Sequence, residues 1–185
     1  MYTCNIYVYL EQPFTRQQNL TSNNLSFRDY YRGAADTNST YLGNVVKSAS
    51  SNRSQALIGV PLYSPSDQSL LGIWAGGIDF AILNSELRSL NLSRNNNERV
   101  VYTDGNGIKV ADSKPGTSSN ESFSELESFQ NAIRGESGST IEVVNQTTLS
   151  ISYYPVEALQ NTWAVLWMRP IGADIVENST ATTFG

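Results

Sequence analysis

The chain contains no histidine. That absence excludes Ser-His and Cys-His nucleophilic pairs, imidazole acid–base work and His-ligated metals. Cys4 stands alone, so no intrachain disulfide and no Cys-rich zinc site can form. Charge is scarce as well: 12 Lys+Arg face 17 Asp+Glu, a net charge of −5, and charged residues make up only 16% of the chain. Without a cluster of Lys and Arg, phosphate neutralisation has nothing to work with, which excludes a nucleic-acid partner. No apolar run reaches the ~20 residues that span a bilayer. Met1 to Leu10 lacks the basic start of a signal peptide. If the protein is exported, the segment that directs or anchors it is expected outside this sequence. No cofactor is expected from these residues.

What is present is a polar but uncharged surface on a chain long enough for a real core. The 185 residues include 24 Ser, 14 Thr and 18 Asn, about 30% of the total. Ten Tyr and three Trp argue for a folded domain, because disordered chains are poor in aromatics. Asn-x-Ser/Thr occurs at Asn19, Asn24, Asn38, Asn52, Asn91, Asn120, Asn145 and Asn178. Composition accounts for part of this set; an exported, glycosylated surface accounts for all of it.

The pattern falls into two similar halves. In the first, Ile6 to Leu10 alternates as a strand, and Ser26-Phe-Arg-Asp29 resembles a helix N-cap box leading into a short helix through Tyr31 and Ala35. Ser54 to Tyr63 and Leu70 to Phe80 read as strands either side of a Pro-Ser-Asp turn. Leu83, Leu87 and Leu90 share one face of a helix over Ala81 to Leu92. Arg94-Asn-Asn-Asn97 marks the expected boundary. The second half has a hairpin signature, Val100 to Thr103 and Ile108 to Ala111 around Asp104-Gly-Asn-Gly107. Ser122-x-x-Glu125 predicts a cap for a helix striped by Phe123, Leu126, Phe129 and Ile133. Strands Thr140 to Val144, Thr147 to Tyr153 and Thr162 to Arg169 follow, the last ended by Pro170. The expectation is an α+β chain of two modules, 1–95 and 96–170, each an antiparallel sheet with packed helices, and a polar tail over 171–185. Five strands and one helix make the second module PAS-like.

Arg28-Asp-Tyr-Tyr31, Tyr41-Leu-Gly, Val60-Pro-Leu-Tyr63, Gly72-Ile-Trp-Ala-Gly-Gly-Ile-Asp79 and Thr103 to Ser113, in that order, resemble the double Cache domain. That family forms the extracellular ligand-sensing part of chemoreceptors and sensor histidine kinases. The resemblance covers about residues 5 to 170. It implies two PAS-like modules, a membrane-distal one that holds the ligand and a proximal one that relays it. It also implies an extracellular or periplasmic location and a membrane-anchored, dimeric parent. The family's long N-terminal helix and its flanking transmembrane segments are absent from this sequence.

A subset resembling amino-acid receptors carries Arg-x-Trp-Tyr and a later strand aspartate. Arg28, Tyr31 and Asp79 match, with Tyr30 in the tryptophan's place and Asn23 where that subset has a tyrosine. The chemistry fits a zwitterion: Arg28 offers a planar fork for a carboxylate, Asp79 an anion for an ammonium, Tyr30 and Tyr31 hydroxyls and flat faces, and Tyr41 closes the pocket. Strand alternation places Ile73, Ala75, Gly77 and Asp79 on one face. The plain alternatives are a surface ion pair between Arg28 and Asp36, tyrosines in the core, and Asp79 as a helix N-cap. Asp104-Gly-Asn-Gly107 has no acidic residue twelve places on, so it reads as a turn rather than a calcium loop. Asp112 reads as structural. The leading expectation is a non-catalytic sensor for a small amino acid, amine or carboxylate. A surface adhesion module stands behind it, and a hydrolase built on Asp79, Asp104 or Asp112 stands last.

Overall fold

A computed structural model describes residues 26–47, 54–78, 80–90, 98–117 and 120–171. It is a mixed α and β protein with antiparallel sheets and few helices, as expected, and the chain divides into two compact units. The first comprises residues up to Phe80 together with Glu157–Asn161; the second holds Ala81–Val156 and the remainder from Thr162.

In the first unit, helix α1 (Asp29–Thr37) precedes two short strands, β1 (Tyr41–Leu42) and β2 (Val46–Lys47), and a long hairpin of β3 (Ser54–Tyr63) and β4 (Leu70–Ile78). Strand β3 is central. Strand β4 pairs with it antiparallel from Ala56↔Ile78 onward, while β1 and β2 share its other edge through Tyr41↔Gly59 and Val46↔Gln55. Two-residue strands carry no readable alternation, so β1 and β2 were not foreseen. Helix α1 packs on the sheet at Gly59, where an added Cβ would stand 2.5 Å from the Tyr30 carbonyl oxygen and 3.2 Å from Ala34 Cβ. Ala34 is fully buried there.

The second unit contains α2 (Phe80–Ser89) from Ala81 on, β5 (Arg99–Thr103), β6 (Lys109–Asp112), α3 (Glu127–Ile133), β7 (Gly138–Val144), β8 (Thr147–Ala158) and β9 (Asn161–Pro170). Its sheet runs β6-β5-β9-β8-β7. The foreseen hairpin is β5–β6, closed by Asp104, whose carboxylate accepts from the N–H groups of Asn106 (3.0 Å) and Ile108 (2.8 Å). Gly107 adopts φ +79° and passes Ser124 so closely that a Cβ would sit 2.7 Å from its backbone nitrogen. The β7–β8 hairpin turns at Asn145-Gln146, both with positive φ. The core joins Val101, Ile151, Ala164, Leu166 and Met168 of the sheet to Phe123, Phe129 and Ala132.

The compact units divide between Phe80 and Ala81, just inside α2, and the Arg94-Asn-Asn-Asn97 stretch lies outside the described residues. Helix α2 goes with the second unit because Asn84 accepts a hydrogen bond from the Asp112 N–H at 2.9 Å. Two expectations need correction, both at helix starts. Helix α1 is not capped by Ser26. Arg28 is its N-cap and offers no side-chain bond, and Asp29 turns its own carboxylate onto the Tyr30 N–H at 2.7 Å. Helix α3 likewise starts after the Ser122-x-x-Glu125 box. Its first N–H groups, of Glu127 and Ser128, are bound by Glu142 from β7 at 2.9 and 3.0 Å, so a strand carboxylate replaces the local cap.

Candidate functional site

The sequence points to the start of α1, and the structure builds it from the backbone outward. Asp29 fixes it. One carboxylate oxygen accepts from Tyr30 N–H and the other from Asn44 N–H at 2.6 Å, joining the helix start to the segment between β1 and β2. Gly43, against the same carboxylate, leaves it room: a Cβ there would lie 2.7 Å from Asp29 Oδ1. Asp29 was missed as a positioning residue, although its place at the first helical turn is the signal that marks it.

Arg28 precedes this clamp in extended conformation. Its guanidinium lies 5.1 Å from the Phe27 ring centroid and makes one long hydrogen bond, 3.4 Å, to the Lys47 carbonyl. Among the described residues no carboxylate forms an ion pair with it, Asp36 included. Most of its donor fork is therefore uncommitted among the described residues. Tyr30 is buried. Burial raises its phenol above the ordinary value, the Arg28 charge works against that rise, and Asp29 adds to it. Arg28 thus acts electrostatically on the Tyr30 hydroxyl. Tyr31 is half-buried and has no hydrogen-bond partner among the described residues. Tyr41 lies flat over Gly33, with ring atoms 2.5 Å from where a Cβ would be, and its hydroxyl donates to Asn161 Oδ1 at 3.1 Å. Asn161 also donates to the Leu42 carbonyl, and Gln160 donates to the Thr40 carbonyl at 2.6 Å, so β1 is held from both sides.

Lys47, Arg28's acceptor, pairs with Ser54, next to Gln55. The Gln55 amide lies over Gly77, where a Cβ would stand 3.1 Å from its Oε1. Register puts Gln55, Leu57, Gly59, Ala75 and Gly77 on one face of β3 and β4. Gln55 was not foreseen; the pairing of β2 with β3, invisible in sequence, is what brings it there. Asp79 lies outside the described residues, between the end of β4 and the start of α2. The structure thus gathers Arg28, Tyr30, Tyr31 and Tyr41 around α1 and the sheet edge, with the Tyr41 hydroxyl already engaged.

The second unit holds a different charge cluster. Arg99 donates to Asp112 (2.6 and 3.2 Å) and to Glu121 (2.5 and 2.9 Å), stacking 5.4 Å from the Phe123 centroid. Lys109 donates to Asp112 and Glu121, each at 3.2 Å, and to Thr117 at 2.6 Å. Thr117 and the Lys114 N–H complete the shell of Asp112 at 2.6 and 2.8 Å. Burial alone would raise the Asp112 carboxyl; bonds from Arg99, Thr117 and Lys114, with the Arg99 charge, overcome it and hold it down to about 2. Glu121 is lowered too, burial again opposing its bonds with Arg99 and Lys109. Two cations meet two carboxylates with all but one of their donors engaged, which supports the structural reading of Asp112.

No protein-family model matches the chain, and no curated protein matches it. Solved structures do. The extracellular domain of the candidate histidine kinase rpHK1S-Z16 superimposes with a TM-score of 0.66 at 14% identity, over 83% of this chain and 63% of that one. The ligand-binding domain of Mlp24 with asparagine gives 0.60 at 14%, over 80% and 58%. The ligand-binding domain of the Pseudomonas aeruginosa PAO1 amino-acid chemoreceptor PctB, in complex with L-Arg, gives 0.56 at 16%, over 88% and 65%. This chain spans less than two thirds of each. The fold is that of Cache-type ligand-binding domains of chemoreceptors and histidine kinases, as the motifs implied.

Proposed function

We propose that this chain is the extracellular or periplasmic sensor domain of a transmembrane receptor, a chemoreceptor or sensor histidine kinase. In this reading it binds a small amino acid, amine or carboxylate through its first unit and does no catalysis. One observation carries the assignment: Arg28, at the start of α1, keeps a carboxylate-matching fork without a carboxylate partner among the described residues. In a chain with 16% charged residues, such an arginine is rare and its unused donors are a binding resource. Similar solved domains hold asparagine and L-Arg, which supports an amino-acid-like ligand. Arg28 takes the carboxylate, Asp79 the ammonium group, and Tyr31 with Gln55 orients what lies between. Tyr30 supplies a buried wall and Tyr41 closes the rim. Two modules of PAS type, the first distal and the second proximal to the membrane, and a dimeric, membrane-anchored parent complete the proposal. Signalling follows from differential binding: a ligand that favours one packing of the pocket shifts that population.

A thermal-shift screen of amino acids, amines and small organic acids tests this. A ligand at 100 times its Kd stabilises by about 2.7 kcal/mol, a rise of several degrees in midpoint. Arg28→Ala cuts the rise for a carboxylate ligand by half or more. A ligand whose shift is unchanged in Arg28→Ala overturns the site, and a broad screen with no shift favours a surface interaction module.

A further inference from the structure

We infer that Asn145 is an N-glycosylation acceptor and that its sugar guards the open edge of the second unit's sheet. The inference rests on the extracytoplasmic reading above. Three Asn-x-Ser/Thr sites fall wholly within the described residues, at Asn38, Asn120 and Asn145, and all three asparagines are exposed. Two are compromised as acceptors. Asn38 accepts from the Tyr63 hydroxyl at 3.1 Å, while Ser39 and Thr40 are bound by Gln160. Asn120 is followed by Glu121, committed to Arg99, and by Ser122, bridged to Ile108. In Asn145-Gln146-Thr147 every residue is exposed, on a two-residue turn with φ of 48° and 65° at the first two positions. The asparagine amide and the hydroxyl two places on, which together make the acceptor, both stand clear at the hairpin tip.

The strand leading into that tip has a need the sugar meets. Strand β7 ends the sheet order, so among the described residues one edge of its backbone is open. Such edges are ordinarily protected by lysine, proline or a bulge. Gly138-Ser-Thr-Ile-Glu-Val-Val144 has none of these. Its one charge, Glu142, is turned inward onto the start of α3. Ile141 and Val143, each 71% exposed, face away from the core beside the open edge. A bulky hydrated sugar at Asn145 obstructs the approach of a second strand and covers the exposed Ile141 and Val143 side chains.

In the transfer, Asn145 Nδ2 bonds to the anomeric carbon of an oligosaccharide carried on a lipid phosphate. The carbon–oxygen bond to the carrier breaks, and the lipid phosphate leaves with the bonding pair. One amide proton passes to a base of the transferase.

The test is mass spectrometry of the peptide spanning Asn145 in protein from its own cells, with protease added outside intact cells to report location. The expected result is a sugar-sized mass increment on that peptide, lost in Asn145→Gln and in Thr147→Ala and retained in Thr147→Ser. Bare Asn145 in a domain that external protease removes overturns the inference and leaves the location standing. Bare Asn145 in a domain the protease cannot reach overturns both. Enzymatic removal of the sugar is expected to raise self-association in light scattering, and an unchanged monomer overturns the guarding role.

Discussion

Two arginines of this chain show what burial and pairing do to the same side chain. Arg99 is 19% exposed and spends its fork on two carboxylates, with a phenylalanine ring beside it. Arg28 rests on an exposed phenylalanine and spends one donor on a carbonyl at 3.4 Å. Removing Arg99 from the closed set leaves Asp112 and Glu121 with Lys109 as their one remaining cation; removing Arg28 from the open set takes no ion-pair partner from any described residue. The first belongs to folding; the second is the one we propose for recognition. The contrast depends on neighbours rather than on the arginines themselves, since an uncommitted fork next to Asp29 persists only because Asp29 is occupied by two backbone N–H groups.

The sharpest way to break this comparison is to truncate both. Arg99→Ala takes from Asp112, 3% exposed, its closest cation while Lys109 stays, and is expected to cost about 3 kcal/mol, the low end of the range for breaking a buried pair. Arg28→Ala is expected to change stability by less than about 0.5 kcal/mol, as surface substitutions do. Urea denaturation measures both. Equal losses would mean that Arg28 is a structural residue after all. In ligand titrations the order reverses: Arg28→Ala weakens binding of a carboxylate ligand by roughly 10- to 150-fold, the worth of a charged hydrogen bond, while Arg99→Ala leaves the affinity of the folded fraction unchanged.

Acid offers a second test of the closed set. The Asp112 carboxyl is held down to about 2 from an ordinary value near 3.8. Between those pH values the unfolded chain binds the proton and the folded one does not, so stability falls as pH drops. The contribution is complete above about pH 4, is lost as pH falls through 2, and amounts to roughly 2 kcal/mol. Stability measured from pH 5 to pH 2 should show this slope, and Asp112→Asn should flatten it. An unchanged slope in that variant would assign the acid sensitivity to other carboxylates.

Legibility in the sequence followed the range of the interactions. The β5–β6 and β7–β8 hairpins were readable because Asp104-Gly-Asn-Gly107 and Asn145-Gln146 close them locally. Phe129 and Ile133 of α3 and the inward set Ala164, Leu166 and Met168 were readable from period alone, while Phe123 and Leu126 of the expected stripe reach the core from before the helix. The helix starts were not: Glu142 serves the first N–H groups of α3 from β7, a contact that tertiary structure supplies, and at α1 Asp29 bonds the Tyr30 N–H in place of the expected Ser26 box. At the candidate site Arg28 and the tyrosines were visible as residue types. Gln55 and the Tyr41–Asn161 bond were not, since 120 positions separate that last pair.

The smallest expected effect concerns that bond. Tyr41→Phe removes one hydroxyl and leaves the ring over Gly33, so packing is kept. Asn161 retains its bond to the Leu42 carbonyl, and its Oδ1 at this half-buried place is left to water. The expected loss is about 0.5–1.5 kcal/mol, the net worth of one neutral hydrogen bond. Ligand affinity tells the two uses of Tyr41 apart. If the hydroxyl serves only to hold β1, affinity stays within a factor of two; if it turns from Asn161 to the ligand on binding, affinity falls about tenfold for 1.4 kcal/mol. The engaged geometry favours the first outcome and places Tyr41 with Arg99, among the groups already committed to the fold.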